Sequence, residues 1–256
     1  MTNDKKRIAI ITGASSGFGR IFASELEKNL DLEEIWLVAR RDDRLTETAS
    51  TLERVKGVVI KADLSTPEGL KIITDRAESE KPFIKVLVNN AGFGRNEAFE
   101  DGDDEYYSRM IDVNVKAPVM LTKRLLEHMY EGSKIVNVAS SAAFAPLPYL
   151  GVYAATKCFL LNFSYALDEE LKEKDITVTA VCPGPAKTEF FKTHPDKVGG
   201  LKLEDPKKIV DKAIKDMKLK KNISVYGFQM NCLRLVAKML PRRLLAKFAG
   251  MVKYPK

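Results

Sequence analysis

Short apolar segments alternate with longer amphipathic segments along most of the chain. The amphipathic segments repeat their apolar residues with helical spacing. The short ones lie near residues 7–12, 34–39, 57–62, 84–89, 133–139, 176–181 and 222–226. Strands separated by helices can pair in parallel, and uninterrupted apolar runs such as IAIIT indicate strands buried on both faces. The pattern predicts a doubly wound α/β fold with about seven parallel strands.

A single domain accounts for this pattern. The chain has 256 residues, enough for one large core, and no repeat, low-complexity stretch or Pro/Gly-rich linker divides it. We expect residues 1–228 to form the body of the domain and residues 229–256 to form a basic amphipathic helical tail.

Charge and cysteine content narrow the function classes. Residues 201–256 carry a net charge of +11 and residues 1–200 carry −4, so no continuous basic surface is expected and nucleic-acid binding is not predicted. The three cysteines, Cys158, Cys182 and Cys232, form no C-x-x-C pair. The first apolar run is too short for a signal-peptide core or a membrane span. We expect a cytoplasmic protein.

A glycine-rich loop follows the first predicted strand and precedes a helical pattern. This order is typical of dinucleotide sites, because the glycines permit a tight turn and close approach of the backbone to a pyrophosphate, and the helix N-terminus offers free N–H groups. The candidate phosphate-binding residues are Gly13, Ser15, Ser16, Gly17, Phe18 and Gly19. Considered alone, the loop could equally be an ordinary tight turn.

Two arginines follow the second predicted strand, where NAD-preferring sites place an acidic residue. Arg40 could hold a 2′-phosphate through paired N–H donors and Arg41 could stack on adenine, which predicts NADP(H) as the cofactor. The alternative is that RRDDR is a solvated charge run. Further candidate cofactor residues come directly after the third and fourth strands. They are Asp63, Leu64, Asn90, Ala91 and Gly92.

The chain contains two Tyr-x-x-x-Lys pairs, Tyr130/Lys134 and Tyr153/Lys157. This spacing puts a phenol and an ammonium one helical turn apart, so that the cation can lower the tyrosine pKa from roughly 10. Gly132 interrupts the first pair just before a predicted strand, whereas the second pair opens a long helical run. We therefore predict that Tyr153 and Lys157 form the catalytic pair.

These motifs together resemble the short-chain dehydrogenase/reductase family over residues 7 to about 228. The resemblance rests on TGASSGFG, NNAG, Asn114, Ser140, the Tyr153/Lys157 pair and Pro183-Gly184 followed by Thr188. In that family the catalytic serine stands thirteen residues before the tyrosine, as Ser140 does here. The resemblance implies a Rossmann-type fold and hydride transfer between NADP(H) and a carbonyl or secondary alcohol.

The resemblance also implies a role for each catalytic residue. Tyr153 would exchange a proton with the substrate oxygen, and Ser140 would steady that oxygen. Lys157 would hold the nicotinamide ribose and lower the Tyr153 pKa. Asn114 would position a water that joins Lys157 to solvent.

The segment after the sixth strand would complete the site. By the same resemblance, Pro183 and Gly184 would shape the nicotinamide pocket and Thr188 would contact the carboxamide. A lid over residues 185–205 offers Phe190 and Phe191, and the run AAFAPLPYLGV precedes Tyr153. Lys187 and Lys192 could bind a substrate carboxylate, but they could equally face solvent. The apolar character predicts a lipophilic carbonyl substrate, and a steroid, an acyl thioester, a fatty aldehyde and a xenobiotic ketone all stay open.

Metal chemistry is not expected. His128 and His194 lie far apart in sequence without clustered acids, so both are interpreted as structural or solvated residues. Cys158 adjoins Lys157, but its position on the helix directs it away from the site.

Other functions and assemblies stay open at this point. The chain could sense NADPH without turnover, or act as a membrane-attached scaffold through its tail. The tail is expected to dock on the domain, over the substrate cleft or the end of the sheet, with contact to an anionic membrane as the alternative. Two helical segments, 113–129 and the one after Tyr153, are apolar over more than one face, so a homodimer or homotetramer is expected.

Overall fold

The computed structural model describes residues 4–191, 197–198 and 201–251. These ranges contain nine strands and nine α-helices. The strands are β1 Arg7–Thr12, β2 Glu34–Ala39, β3 Lys56–Lys61, β4 Phe83–Asn89, β5 Lys134–Val138, β6 Thr177–Val181, β7 Lys197–Val198, β8 Leu201–Lys202 and β9 Ile223–Ser224. The helices are α1 Gly17–Asn29, α2 Asp42–Ser50, α3 Pro67–Glu80, α4 Asp104–Ile111, α5 Ala117–Leu125, α6 Gly151–Glu170, α7 Pro206–Lys218, α8 Phe228–Met239 and α9 Arg242–Met251.

Seven of the strands form one parallel sheet in the order β3-β2-β1-β4-β5-β6-β9. All seven predicted strands are present, and the prediction of a doubly wound parallel fold is confirmed. The chain order reverses between β1 and β4, where the crossovers leave the sheet on opposite sides. Such a switch point is where open α/β sheets bind their ligands. The short β7 and β8 form a separate antiparallel pair.

Helices cover both faces of the sheet. One face packs against α3, α5 and α6 through residues such as Ile73, Leu121 and Leu167. The other packs against α1 and α7 through residues such as Phe22 and Ile209. Burial on both faces explains the uninterrupted apolar strands, since neither side of β1 or β2 meets water.

The tail contains α8 and α9. Met230 is buried in a small cluster with Cys182 and Val225, beside the sheet edge at β6 and β9. Leu245 is the buried residue of α9. Within the described part of the chain, no helix is both long enough and apolar enough to cross a membrane.

Candidate active site

The glycine-rich loop leaves backbone donors free at the start of α1. Gly13 and Gly17 have φ of 67° and 53°, the left-handed region that favours glycine. Ser16 is the N-cap of α1, but its side chain accepts no hydrogen bond from the helix. The first N–H groups of α1 therefore have no side-chain cap. Gly19 packs so tightly on the Gly13 carbonyl that a Cβ would not fit.

Hydrogen bonds tie the loop to the end of β4. The Thr12 hydroxyl accepts the N–H groups of Asn90 and Ala91 at 2.9 and 3.0 Å. The Asn90 amide in turn donates to the carbonyls of Thr12 and Gly13, at 2.9 and 3.2 Å. Asn90 therefore holds two adjacent strand ends together, which is a role that the sequence did not reveal. Thr12 could have been predicted from the sequence, because it is a hydroxyl-bearing residue directly before Gly13, the first glycine of the loop.

The two arginines after β2 differ in their contacts. Arg41 donates to the Ser15 hydroxyl at 3.3 Å and to Glu189 at 3.1 Å, which connects the glycine loop to the segment after β6. Arg40 is exposed and forms no hydrogen bond or ion pair with any residue of the described ranges. Its guanidinium is thus available to a ligand.

Asp63 lies near Arg40 at the end of β3. Burial opposes ionisation of its carboxyl, but hydrogen bonds from the backbone and hydroxyl of Ser65 and the charges of Arg40 and Arg109 outweigh this, and the pKa of Asp63 falls below its usual value. The carboxylate is therefore ionised at neutral pH and can accept hydrogen bonds from a ligand.

Ser140 and Tyr153 form the centre of the candidate site. Ser140 follows β5 and caps a short 3-10 helix, Ser141–Phe144, by accepting the N–H of Ala142 at 3.1 Å. Tyr153 lies in the first turn of α6, and its phenol is hydrogen-bonded to Ser140. Burial raises the pKa of Tyr153 to about 12, although the Ser140 hydrogen bond works against that shift.

Lys157 does not lower the Tyr153 pKa, contrary to our expectation from the sequence. Its ammonium lies 5.8 Å from the centre of the Tyr153 ring and donates to the Val138 carbonyl at 2.8 Å. The side chain is buried, and burial lowers the pKa of Lys157 to about 8. The cation therefore contacts the end of β5.

Asn114 lies in a π-helical turn, Asp112–Lys116, between α4 and α5. Its amide donates to the Phe93 carbonyl at 2.9 Å and to the Thr156 hydroxyl at 3.1 Å, and its oxygen accepts the Phe93 N–H at 3.1 Å. A Cβ on Gly92 would lie 3.0 Å from the Lys157 ammonium and 3.1 Å from the Asn114 oxygen. Both groups therefore face the same glycine.

A cavity of about 1330 Å³ joins these groups along the carboxyl ends of the strands. It is lined by all the predicted catalytic and cofactor-binding residues except Gly19 and Asn114. Gly19 has a packing role at the start of α1, and Asn114 reaches the site through the backbone of Phe93. The fold thus brings together residues from six strand ends that are distant in sequence.

The segment after β6 and the tail form the far wall of the cavity. Gly184 packs against Met230 of α8, where a Cβ would approach the sulfur to 2.7 Å. Thr188 lies beside Gly17, and the Phe190 ring is 5.5 Å from the Tyr153 ring. Lys192, His194 and the side chain of Phe191 lie outside the described residues. Apolar tail residues that the sequence had not assigned to the site also line the cavity; they are Met230, Leu233, Val236, Leu240, Leu245 and Phe248.

Comparison with known sequences identifies relatives of this chain. The profile of the family described as short chain dehydrogenase matches residues 7–199. Sulfoacetaldehyde reductase 2 of Chromohalobacter salexigens is 36% identical over 191 residues, which cover 72% of this chain and 74% of the relative. Very-long-chain 3-oxoacyl-CoA reductase-B of Danio rerio is 30% identical over 250 residues, which cover 94% of this chain and 78% of the relative.

Solved structures agree with these sequence matches. A short-chain dehydrogenase from Sphingobium yanoikuyae in complex with NADPH superposes with a TM-score of 0.78 and 27% identity, covering 91% of this chain and 94% of the other. The bulky-bulky ketone specific alcohol dehydrogenase from Comamonas testosteroni gives a TM-score of 0.75 and 29% identity, covering 91% and 92%. The resemblance predicted from the motifs is confirmed: the chain belongs to the short-chain dehydrogenase family and is an oxidoreductase.

Proposed function

We propose that this protein is an NADP(H)-dependent oxidoreductase that reduces a bulky, lipophilic ketone or acyl carbonyl. One observation carries the proposal. The hydrogen-bonded hydroxyls of Ser140 and Tyr153 lie in a cavity that extends from the glycine-rich loop to an apolar chamber beneath the tail.

Three features of the chain fit NADP(H). The start of α1 offers uncapped N–H groups for a pyrophosphate, and Arg40 is available for a 2′-phosphate. Gly92 leaves room beside Lys157 for a ribose. The similar structure from Sphingobium yanoikuyae contains NADPH. When bound, the nicotinamide would supply the hydride, with Pro183, Gly184 and Thr188 around its ring.

The pKa of Tyr153 favours a role as proton donor. With a pKa of about 12, its phenol is protonated at neutral pH and can donate to the oxygen of a carbonyl substrate. Ser140 is already hydrogen-bonded to the phenol and can stabilise the developing phenolate. We assign the return of the proton to Tyr153 to Lys157 and Asn114, which face the same glycine. The Lys157 ammonium has a pKa of about 8, so it can give up a proton near neutral pH. The protonated Tyr153 phenol of the resting protein therefore suits reduction of a carbonyl.

The walls of the chamber favour an apolar substrate. Besides the tail, Leu147, Leu150 and Phe190 line it. Arg95 also lines the cavity, but its guanidinium lies 2.6 Å from the Glu97 carboxylate and 4.4 Å from the centre of the Tyr106 ring. Its charge is therefore satisfied within the protein. This contact argues against a small anionic aldehyde such as the one that names the Chromohalobacter relative.

Replacement of Tyr153 by Phe tests the catalytic assignment. The Tyr153→Phe substitution removes only the hydroxyl, so we expect the rate of NADPH-dependent ketone reduction to fall at least about 10²-fold with NADPH binding retained. The matched control is Tyr130→Phe, since Tyr130 packs edge-on against Phe83 outside the cavity. Turnover by the Tyr153 variant near the wild-type rate would contradict the assignment. A protein that binds NADPH but reduces no carbonyl compound would instead be a sensor.

Arg40 provides the test of cofactor preference. We expect NADPH to bind at least tenfold more tightly than NADH, because a paired arginine–phosphate contact should contribute more than about 1.4 kcal/mol. Arg40→Asp should remove this preference, as measured by fluorescence titration of both cofactors. Arg44→Asp is the control, since Arg44 pairs with Glu47 and does not line the cavity. Equal affinities in the wild type would show that RRDDR is a solvated charge run.

The tail is proposed to form a wall of the substrate chamber. Leu245 is 7% exposed and lines the cavity, whereas neighbouring Leu244 is 43% exposed and does not. We expect Leu245→Ala to raise the KM for a bulky ketone several-fold, with little effect of Leu244→Ala, because only the first enlarges the chamber. A larger rise in KM for Leu244→Ala than for Leu245→Ala would contradict this role. Membrane contact would instead appear as salt-sensitive sedimentation of the protein with anionic vesicles.

We also propose that two copies associate through α6 and the segment that contains α4 and α5. Phe159 on α6 is 42% exposed and stacks on Phe163, and Ile111 on α4 is 47% exposed. A two-fold axis would bury both faces at once. Light scattering at micromolar concentration should report at least a dimer. The Phe159→Asp substitution should shift the equilibrium from dimer towards monomer. Leu219→Asp, at the end of α7 on the other face of the sheet, should have no such effect. A monomeric wild type would exclude the proposal.

A further inference from the structure

Three side chains with metal-binding chemistry meet at the edge of the sheet opposite the cavity. Glu78 lies in the last turns of α3, and Glu127 and His128 belong to a 3-10 turn, Leu126–His128, that directly follows α5. One donor atom from each of the three residues lies within 4.8 Å of the others. The sequence did not predict this cluster, because α3 and α5 are separated by β4 and α4 along the chain.

The imidazole of His128 lacks a hydrogen-bond partner where it faces this cluster. His128 is 6% exposed, and its Nε2 atom is buried without a hydrogen bond to any residue that the structure describes. The nearest carboxylate oxygen, on Glu127, is 3.7 Å away, which is too far for a hydrogen bond. A buried ring nitrogen without a partner destabilises the folded state, and a bound cation would satisfy it.

Two like charges approach each other in this cluster. Carboxylate oxygens of Glu78 and Glu127 lie within 4.8 Å of each other. Lys5 and Lys81 are close enough to influence the cluster electrostatically. Among the described residues, however, neither lysine forms an ion pair with Glu78 or Glu127. The Lys5 ammonium donates to the Lys81 carbonyl instead.

We infer that Glu78, Glu127 and His128 form a binding site for a divalent transition-metal ion, with Zn²⁺ as the best match. Zn²⁺ accepts both imidazole nitrogen and carboxylate oxygen as ligands, whereas Mg²⁺ and Ca²⁺ prefer oxygen ligands alone. Ligand atoms around a tetrahedral zinc are about 3.4 Å apart, given bonds of roughly 2.1 Å. The exposed side chains of Glu78 and Glu127 can close the remaining distance by changing rotamer.

The position of the site assigns the metal a structural role. The α3 helix leads directly into β4, and the turn that holds His128 leads into β5. A metal bound to both would cross-link two crossovers of the sheet at the amino ends of its central strands. Tyr153 and the cavity lie at the carboxyl ends, so the metal would stabilise the fold without taking part in the reaction.

Metal binding can be measured on the full chain without reference to activity. After treatment with a chelator, the protein should bind one Zn²⁺ by calorimetry, and Zn²⁺ at a hundredfold excess over its Kd should raise Tm by about 5 °C or more. Co²⁺ in the same site should show visible d–d absorption without a thiolate charge-transfer band, because no cysteine is a ligand.

Substitutions distinguish this site from other metal-binding groups. Glu78→Gln and His128→Gln should each weaken Zn²⁺ binding at least tenfold. Glu78 is exposed, so its variant should fold even if the His128 variant does not. The controls are Glu68→Gln, an exposed acid in the first turn of the same helix, and His194→Gln, which removes the other histidine. Absence of Zn²⁺ binding, binding unchanged by Glu78→Gln, or a Co²⁺ thiolate band would overturn the proposal.

Discussion

Burial of the parallel sheet on both faces is the constraint on which the rest of this structure depends. Helices cover β1, β2, β4 and β5 on each side, and backbone hydrogen bonds in the sheet satisfy the polar groups that this burial removes from water. The carboxyl ends of the strands are left as the edge where the chain can present side chains to a ligand. All the candidate catalytic and cofactor residues lie at or near that edge, because the topology allows few other positions.

Buried polar side chains fix the strand ends relative to each other. Asn89 at the end of β4 donates to Asn137 of β5 at 2.8 Å and to the Thr122 hydroxyl at 3.1 Å, and Asn137 donates to Ser164 of α6 at 2.9 Å. Each such bond adds only about 1 kcal/mol to the free energy of unfolding, but a buried polar group left unpaired lowers it by about 1–3 kcal/mol. A shift in strand register would leave several of these groups unpaired. The network therefore supports the arrangement of Ser140 and α6 that the site requires.

The candidate catalytic groups lower the stability of the fold that holds them. Lys157 is buried with a pKa near 8, against about 10.5 in an unfolded chain, so its charge costs the folded state on the order of 3 kcal/mol at neutral pH. This cost is fully present below pH 8 and disappears as the pH rises towards 10.5, where the unfolded chain also loses the proton. The hydrogen bond to Val138 offsets part of it. A buried ammonium held at such a cost is characteristic of functional sites.

The fold class, the family and a set of candidate catalytic and cofactor-binding residues could be predicted from the sequence. Strand burial, the glycine-rich loop and the Tyr-x-x-x-Lys spacing depend on neighbours along the chain, so they can be read without a structure. Packing between distant segments, in contrast, places Lys157 against the Val138 carbonyl, Met230 of the tail on Gly184, and Glu78 beside His128. Those contacts join residues distant in sequence. They also set the pKa values of Tyr153 and Lys157, because desolvation and charge proximity depend on packing and not on local pattern.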